Sequence, residues 1–127
     1  MITKQHAKNY SPLTLAFLGD GVYELLVRQK IVSDGSAPLG KLHKRAVAKV
    51  RACYQAKGAR AIEPLLSEEE ADIMRRGRNT NSHVPKSATV KDYRMATGLE
   101  ALFGYLSLIG ESERIEELFE IVYNKVE

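Results

Sequence analysis

The stretch that decides the fold is LTLAFLGDGVYELLV, which runs from Leu13 to Val27. Its apolar residues recur at three- and four-residue spacing, and this spacing predicts an α-helix with an apolar face. That face comprises Leu15, Leu18, Val22, Leu25 and Leu26. The opposite side of the helical wheel is also apolar, with Leu13, Phe17 and Val27. Because a helix that is apolar on both sides belongs in a core, we expect the other helices to pack around this segment.

Asp20 places one charge in the middle of this helix, and Gly19 and Gly21 flank it. A carboxylate in an apolar helix costs free energy unless it is paired, hydrogen-bonded or bound to a metal. Each glycine costs a helix interior about 1 kcal/mol relative to alanine. The pattern therefore indicates a buried acid that a neighbouring backbone or a ligand approaches closely.

The composition describes an ordinary globular protein. A length of 127 residues fits one domain, 1–127, and a hydrophobic fraction of 44% is enough for a core. No run of about 18 apolar residues and no secretory pattern occurs, so we expect a cytoplasmic protein with no membrane contact. The single cysteine, Cys53, excludes an internal disulfide and any zinc site built on several cysteines.

Capping and turn residues divide the chain into helices, with no strand pattern between them. We predict helices over residues 12–33, 39–57, 67–76 and 89–109, and a final amphipathic helix from 112. Gly58 should close the second helix and Gly77 should end the third. Residues 1–10 have the composition of a poorly ordered lead-in, and residues 79–88 that of an exposed loop. The predicted fold is an all-α, single-domain helical bundle.

A second acid stands alone in MATGLEALFGYLSLI, which runs from Met95 to Ile109 and carries one charge, Glu100. Packing this helix against the first could bring Asp20 and Glu100 together. Two adjacent carboxylates repel each other unless a cation lies between them, and oxygen ligands suit Mg²⁺ or Mn²⁺. The alternative is that a basic side chain or a helix N-terminus satisfies each acid separately.

Cations gather in two parts of the chain. No acid occurs between Gly35 and Ile62, and one side of the predicted second helix is basic. That side carries Lys41, Lys44, Arg45, Lys49 and Arg51. A second cluster brackets the predicted loop, with Arg75, Arg76, Arg78, Lys86, Lys91 and Arg94. Such surfaces can bind phosphates, although a merely solvated basic face is the alternative. Beside a metal held by acids, they favour phosphodiester hydrolysis.

Four segments resemble the ribonuclease III family. LAFLGDGVYEL, from Leu15 to Leu25, is similar to the family signature LEFLGD followed by a small residue and an apolar run. LEALFGYLSL, from Leu99 to Leu108, is similar to the second acidic motif, FEALIGAIYL. RRGRN and KDYRMATGLEAL, at residues 75–79 and 91–102, resemble the short Mini-III subfamily, which lacks a separate double-stranded RNA-binding domain. The resemblance spans the catalytic domain and implies its all-helical fold.

The resemblance implies that Asp20 and Glu100 are the metal-binding catalytic acids. It further implies a Mg²⁺-dependent endoribonuclease, with Mn²⁺ as a possible substitute, that cleaves double-stranded RNA as a homodimer in the bacterial cytoplasm. The subfamily implies maturation of 23S ribosomal RNA. The expected RNA contacts are Lys41, Lys44, Arg45, Lys49, Arg76, Arg78, Lys86 and Lys91.

Departures from the family pattern leave two other interpretations open. Ala16 stands where LEFLGD has its glutamate, and Thr97 stands where the second motif has an aspartate. The Mini-III subfamily shares this reduced set of acids. A catalytically silent RNA-binding or ribosome-assembly factor on the same fold would show it too. The remaining interpretation is a helical interaction domain whose acids are structural.

Overall fold

The computed structural model describes residues 2–80, 83–86 and 88–124. These residues form seven α-helices and no strand, which confirms the predicted all-α class. The helices are α1 (Lys4–Lys8), α2 (Pro12–Val32), α3 (Leu39–Val50), α4 (Ala52–Ile62), α5 (Glu68–Arg78), α6 (Val90–Leu108) and α7 (Ser112–Asn124). A single 3₁₀ turn, Glu63–Leu65, joins α4 to α5. None of the described helices combines the length and apolarity that crossing a bilayer requires.

Helices α2 and α6 form the centre of the bundle, and α3, α4, α5 and α7 pack around them. Helices α2 and α6 cross at a point where each of them carries a glycine. A Cβ atom at Gly19 would overlap the carbonyl oxygen of Glu100, and one at Gly104 would overlap the carbonyl oxygen of Leu15. The close approach predicted at Gly19 is therefore made by the backbone of α6.

The buried face of α2 differs from the predicted one. It comprises Leu15, Ala16, Gly19, Tyr23, Val27 and Ile31. Leu25, assigned to the core from its spacing, is 56% exposed, whereas Val27, assigned to the opposite side, is fully buried. Both sides of α2 are apolar, and the side that carries Gly19 is the one on which the α6 backbone comes close.

The prediction of one continuous helix over residues 39–57 is wrong, because the helix is interrupted at Arg51. Arg51 has extended backbone angles (φ −65°, ψ 147°) and separates α3 from α4. The hydroxyl of Tyr23 donates to the carbonyl of Lys49 at 3.0 Å, so this carbonyl is satisfied by a tertiary contact at the end of α3. Gly58 does not close a helix but lies inside α4, where a Cβ atom would overlap the Val122 side chain.

Two smaller predictions also need correction. Within the predicted lead-in, α1 forms with Thr3 as its cap, and Arg76 donates to the carbonyls of Lys8 (2.9 Å) and Tyr10 (3.3 Å). Helix α5 continues past Gly77, which faces Gly98 of α6. The predicted loop is non-helical over its described residues, while positions 81, 82 and 87, and Met1 of the lead-in, lie outside them.

Candidate active site

The α2–α6 crossing brings Asp20 and Glu100 together. Asp20 follows Gly19 on α2, and the carbonyl of Glu100 lies against Gly19 on the facing helix. The two carboxyl groups are close enough for Asp20 to raise the pKa of Glu100. Among the ion pairs formed by the described residues, none includes either acid. The two acids therefore face each other, and neither is neutralised by a basic side chain in the described part of the chain.

Their surroundings differ, and this corrects the expectation that Asp20 is buried. Asp20 is exposed, whereas Glu100 is partly buried at the base of a groove. Burial raises the pKa of Glu100 to about 8, and the hydrogen bond with Asp20 and its negative charge act in the same direction. At neutral pH and without a cation, Glu100 thus keeps a proton that it can donate to an oxygen of Asp20.

This donor set fits a small hard cation. It offers two carboxylates, and the described residues contain no group of three or more His, Cys, Asp or Glu side chains placed to hold a metal. Mg²⁺ is commonly bound through one or two carboxylates while it keeps several waters, and the substrate phosphate can replace some of them. A divalent cation would also relieve the repulsion that keeps Glu100 protonated.

A groove of about 640 Å³ leads to Glu100 between α4, α6 and the segment before α6. Its polar lining includes Arg51, Gln55, Asp92, Tyr93, Thr97 and Glu100. Thr97, which stands in place of a family aspartate, donates its hydroxyl to the carbonyl of Tyr93 at 3.0 Å. Thr97 therefore gives its hydroxyl proton to its own helix, and it adds no third carboxylate to the pair.

Gln55 is the member of this site that sequence reasoning missed. It is 3% exposed and lines the same groove as Glu100, and its amide opposes the rise in the pKa of Glu100. The available signal was an amide among the small residues of YQAKGA, at the helix face that α4 turns inward. The predicted continuous helix concealed it, because Arg51 separates α4 from α3 and α4 buries a face of its own that includes Gln55 and Ala56.

The comparisons with known proteins agree with this geometry. Residues 13–111 match the sequence profile of the ribonuclease III domain. The chain belongs to the ribonuclease III family. It is an endoribonuclease that acts on double-stranded RNA, as its sequence predicts.

Relatives of this ribonuclease III chain match it over almost their full lengths. A Mini-ribonuclease 3 from Thermoanaerobacter is 48% identical, with 100% of this chain and 90% of that protein covered. A Mini-ribonuclease 3 from Clostridium tetani is 45% identical, with 98% and 84% covered. The crystal structure of a Fusobacterium nucleatum protein superposes with a TM-score of 0.85 at 39% identity, covering 91% of this chain and 94% of that one.

The expected RNA contacts of this ribonuclease fall into two groups. Lys41, Lys44, Arg45, Lys86 and Lys91 are exposed. The other three make contacts within the protein. The Lys49 ammonium lies 4.6 Å from the ring centroids of both Tyr54 and Tyr123, Arg76 binds the carbonyls before α2, and Arg78 pairs with Glu63 at 3.2 Å. Burial raises the pKa of Tyr23, which lies beside this aromatic group.

Proposed function

We propose that this ribonuclease III chain cleaves double-stranded RNA with Mg²⁺, or Mn²⁺ in its place, held by Asp20 and Glu100. The observation that carries the proposal is the pair of facing carboxyl groups at the α2–α6 crossing, without a cationic partner in the described residues. Enzymes of this family generally depend on a divalent metal. When bound, the metal would supply a polarised water and stabilise charge on the phosphate.

The two acids would have different tasks. Asp20 is exposed and can meet both the cation and the RNA backbone. Glu100 anchors the site from the base of the groove, after losing the proton that burial and Asp20 keep on it. The test is cleavage of a long duplex with Mg²⁺ and then with EDTA. Cleavage that requires Mg²⁺ supports the proposal, and RNA binding without cleavage supports the silent factor suggested by Ala16 and Thr97.

We infer a homodimer from the exposed side of α2. Leu13, Phe17, Leu25 and Val32 form an apolar stripe there, and Phe17 is 85% exposed. Gly21 lies within the stripe, and beyond its own stretch of helix no atom of the described residues comes within 4 Å of a Cβ at that position. A glycine that costs helix stability without an internal contact is consistent with close approach of a second α2. A two-fold pairing would give two acid pairs, one for each RNA strand.

The basic surface proposed for RNA is the exposed group Lys41, Lys44, Arg45, Lys86 and Lys91. We expect Lys44→Ala with Arg45→Ala to weaken RNA binding and to lower the log–log salt slope by about 0.7–0.9 for each lost phosphate contact. Binding titrations from low to high salt measure both effects. Lys57→Ala, also exposed but on α4, is the control, and an unchanged slope in the double variant would mean that this face is only solvated.

The biological assignment follows from the Mini-III resemblance. We propose that residues 1–127 form one catalytic domain that acts in the bacterial cytoplasm on the precursor of 23S ribosomal RNA. Relatives at 45–48% identity that bear the name Mini-ribonuclease 3 support it. Mapping of 23S ends in cells that lack the protein is the test, because unprocessed ends should accumulate there.

A further inference from the structure

Gln55 is a buried amide in α4. Only 3% of its surface is exposed, and it lines the groove that ends at Glu100. Its amide lines the same groove as Glu100, and it acts on the Glu100 carboxyl group in the sense expected of a donor, because it lowers the pKa of Glu100. Burying a carboxamide costs free energy unless its polar atoms are hydrogen-bonded, whereas an apolar side chain would avoid that cost.

The backbone beside Gln55 is fixed from two directions. On the α2 side, the Tyr23 hydroxyl donates to the carbonyl of Lys49 at 3.0 Å, just before the break at Arg51. On the α7 side, Tyr54 donates its hydroxyl to the carbonyl of Tyr123 at 2.8 Å. Gln55 follows Tyr54 directly in α4, so its amide is presented to Glu100 from a rigid support.

We propose that Gln55 is a positioning residue whose amide holds the Glu100 carboxylate in the orientation that binds a divalent cation together with Asp20. This inference rests on the proposed function, because it concerns the same site. A neutral donor suits the position, since it orients one acid without adding charge to a site that already has two. Removing such a partner of a metal ligand typically reduces metal affinity or activity by about 10–100-fold.

The competing explanation is that Gln55 only supports the packing of α4 on α6. The two roles predict different results. If Gln55 only supports packing, its replacement changes the free energy of unfolding of the metal-free protein and leaves metal affinity unchanged. A positioning role changes metal affinity whatever happens to stability.

The experiment compares Gln55→Met, which keeps the side-chain length and removes the amide, with Gln55→Asn, which keeps the amide on a shorter chain. Gln5→Met, at an exposed position of α1, is the matched control. Mn²⁺ is titrated into each metal-free protein by calorimetry without RNA. Cleavage is then measured against Mg²⁺ concentration, and unfolding is measured in EDTA.

We expect Gln55→Met to bind Mn²⁺ at least about tenfold more weakly than wild type and to need correspondingly more Mg²⁺ for half-maximal cleavage. Its rate at saturating Mg²⁺ should fall by a smaller factor. Gln55→Asn should lie between Gln55→Met and wild type, and Gln5→Met should equal wild type.

Two results would overturn the proposal, and they differ. If Gln55→Met binds Mn²⁺ within twofold of wild type while Asp20→Asn loses binding, the metal site is real and Gln55 only packs. If wild type binds no Mn²⁺, or Asp20→Asn binds it as well as wild type, the metal site itself fails and the role of Gln55 with it. Should Gln55→Met not fold, Gln55→Leu, which also removes the amide, is judged by the same twofold criterion.

Discussion

The two sides of α2 are nearly equal in apolar content and opposite in environment. One side, with Leu15, Gly19 and Tyr23, lies against α6 and is closed to solvent. The other, with Phe17 and Leu25, is more than half exposed at both positions. A hydrophobicity scale does not separate the two sides, whereas the backbone contact at Gly19 marks the buried one.

Asp20 lies at the edge between these two sides, which explains how one residue can be both exposed and part of a buried site. Its backbone belongs to the tight crossing with α6, while its side chain is accessible. Glu100, on α6, faces the buried side of α2, and burial raises the pKa of its carboxyl group. The site therefore combines one acid that is open to substrate with one that is held in place.

The largest effect should come from disrupting the contact between the buried side of α2 and the backbone of α6. Gly19→Ala would push a methyl group into the carbonyl of Glu100, so α2 and α6 must separate along the centre of the bundle. We expect a loss of more than about 3 kcal/mol in the free energy of unfolding, measured by urea denaturation. Gly40→Ala, in α3, is the matched control, because its methyl group meets no described residue outside its own helix. Equal stability of the two variants would contradict the importance of the crossing.

The next largest effect concerns Asp20, at the edge between the two sides of α2. Asp20→Asn keeps the side-chain volume and removes the charge, so we expect a folded protein whose cleavage rate falls at least about 1,000-fold, or roughly 4 kcal/mol of barrier. Glu100→Gln should lose as much, and the double variant should be little worse, because groups that hold one metal act as a unit. Asp34→Asn, exposed in the turn after α2, is the control. Cleavage by Asp20→Asn within threefold of wild type would show that Asp20 is not a ligand.

The exposed side is tested by Phe17→Asp, which places a charge in the proposed dimer interface. We expect a folded monomer that cuts a long duplex poorly, measured by light scattering at micromolar concentration alongside cleavage. Leu65→Asp, at an exposed apolar residue away from α2, should remain dimeric and active. A wild-type mass of one chain with full activity would reject the dimer.

The smallest expected effect is a pH dependence of the free energy of unfolding, which arises from the Glu100 carboxyl group alone. Because the pKa of Glu100 is raised to about 8, the metal-free native state binds more protons than the unfolded chain between about pH 4.5 and 8. Its stabilising contribution is present at low pH and is lost as the pH rises through the folded pKa. In EDTA, wild type should therefore lose at least about 1 kcal/mol relative to Glu100→Gln between pH 5 and 8, the equivalent of one pKa unit. If the free energies of unfolding of wild type and Glu100→Gln, measured by urea denaturation, change in parallel with pH, the pKa of Glu100 is not raised.

Patterns that depend on neighbours in sequence were predicted well. Ser11 caps α2, Ser67 and Glu70 form a capping box at the start of α5, and Thr89 caps α6, close to the predicted starts of these helices. These features succeed because a cap joins a side chain to a backbone N–H only two or three residues away. The break at Arg51 was not predicted, since it accompanies a hydrogen bond from Tyr23, which is 26 residues away.

The sequence by itself determined the all-α class, most helix starts, and the two isolated acids whose motifs carry the family resemblance. Only the tertiary structure decided which side of α2 is buried, that Lys49 and Arg76 make contacts within the protein, and that Gln55 lies against Glu100. The reason is physical. Periodicity and capping are local properties of the chain, whereas burial, ion contacts and the approach of two carboxylates depend on which helices meet and at which glycine.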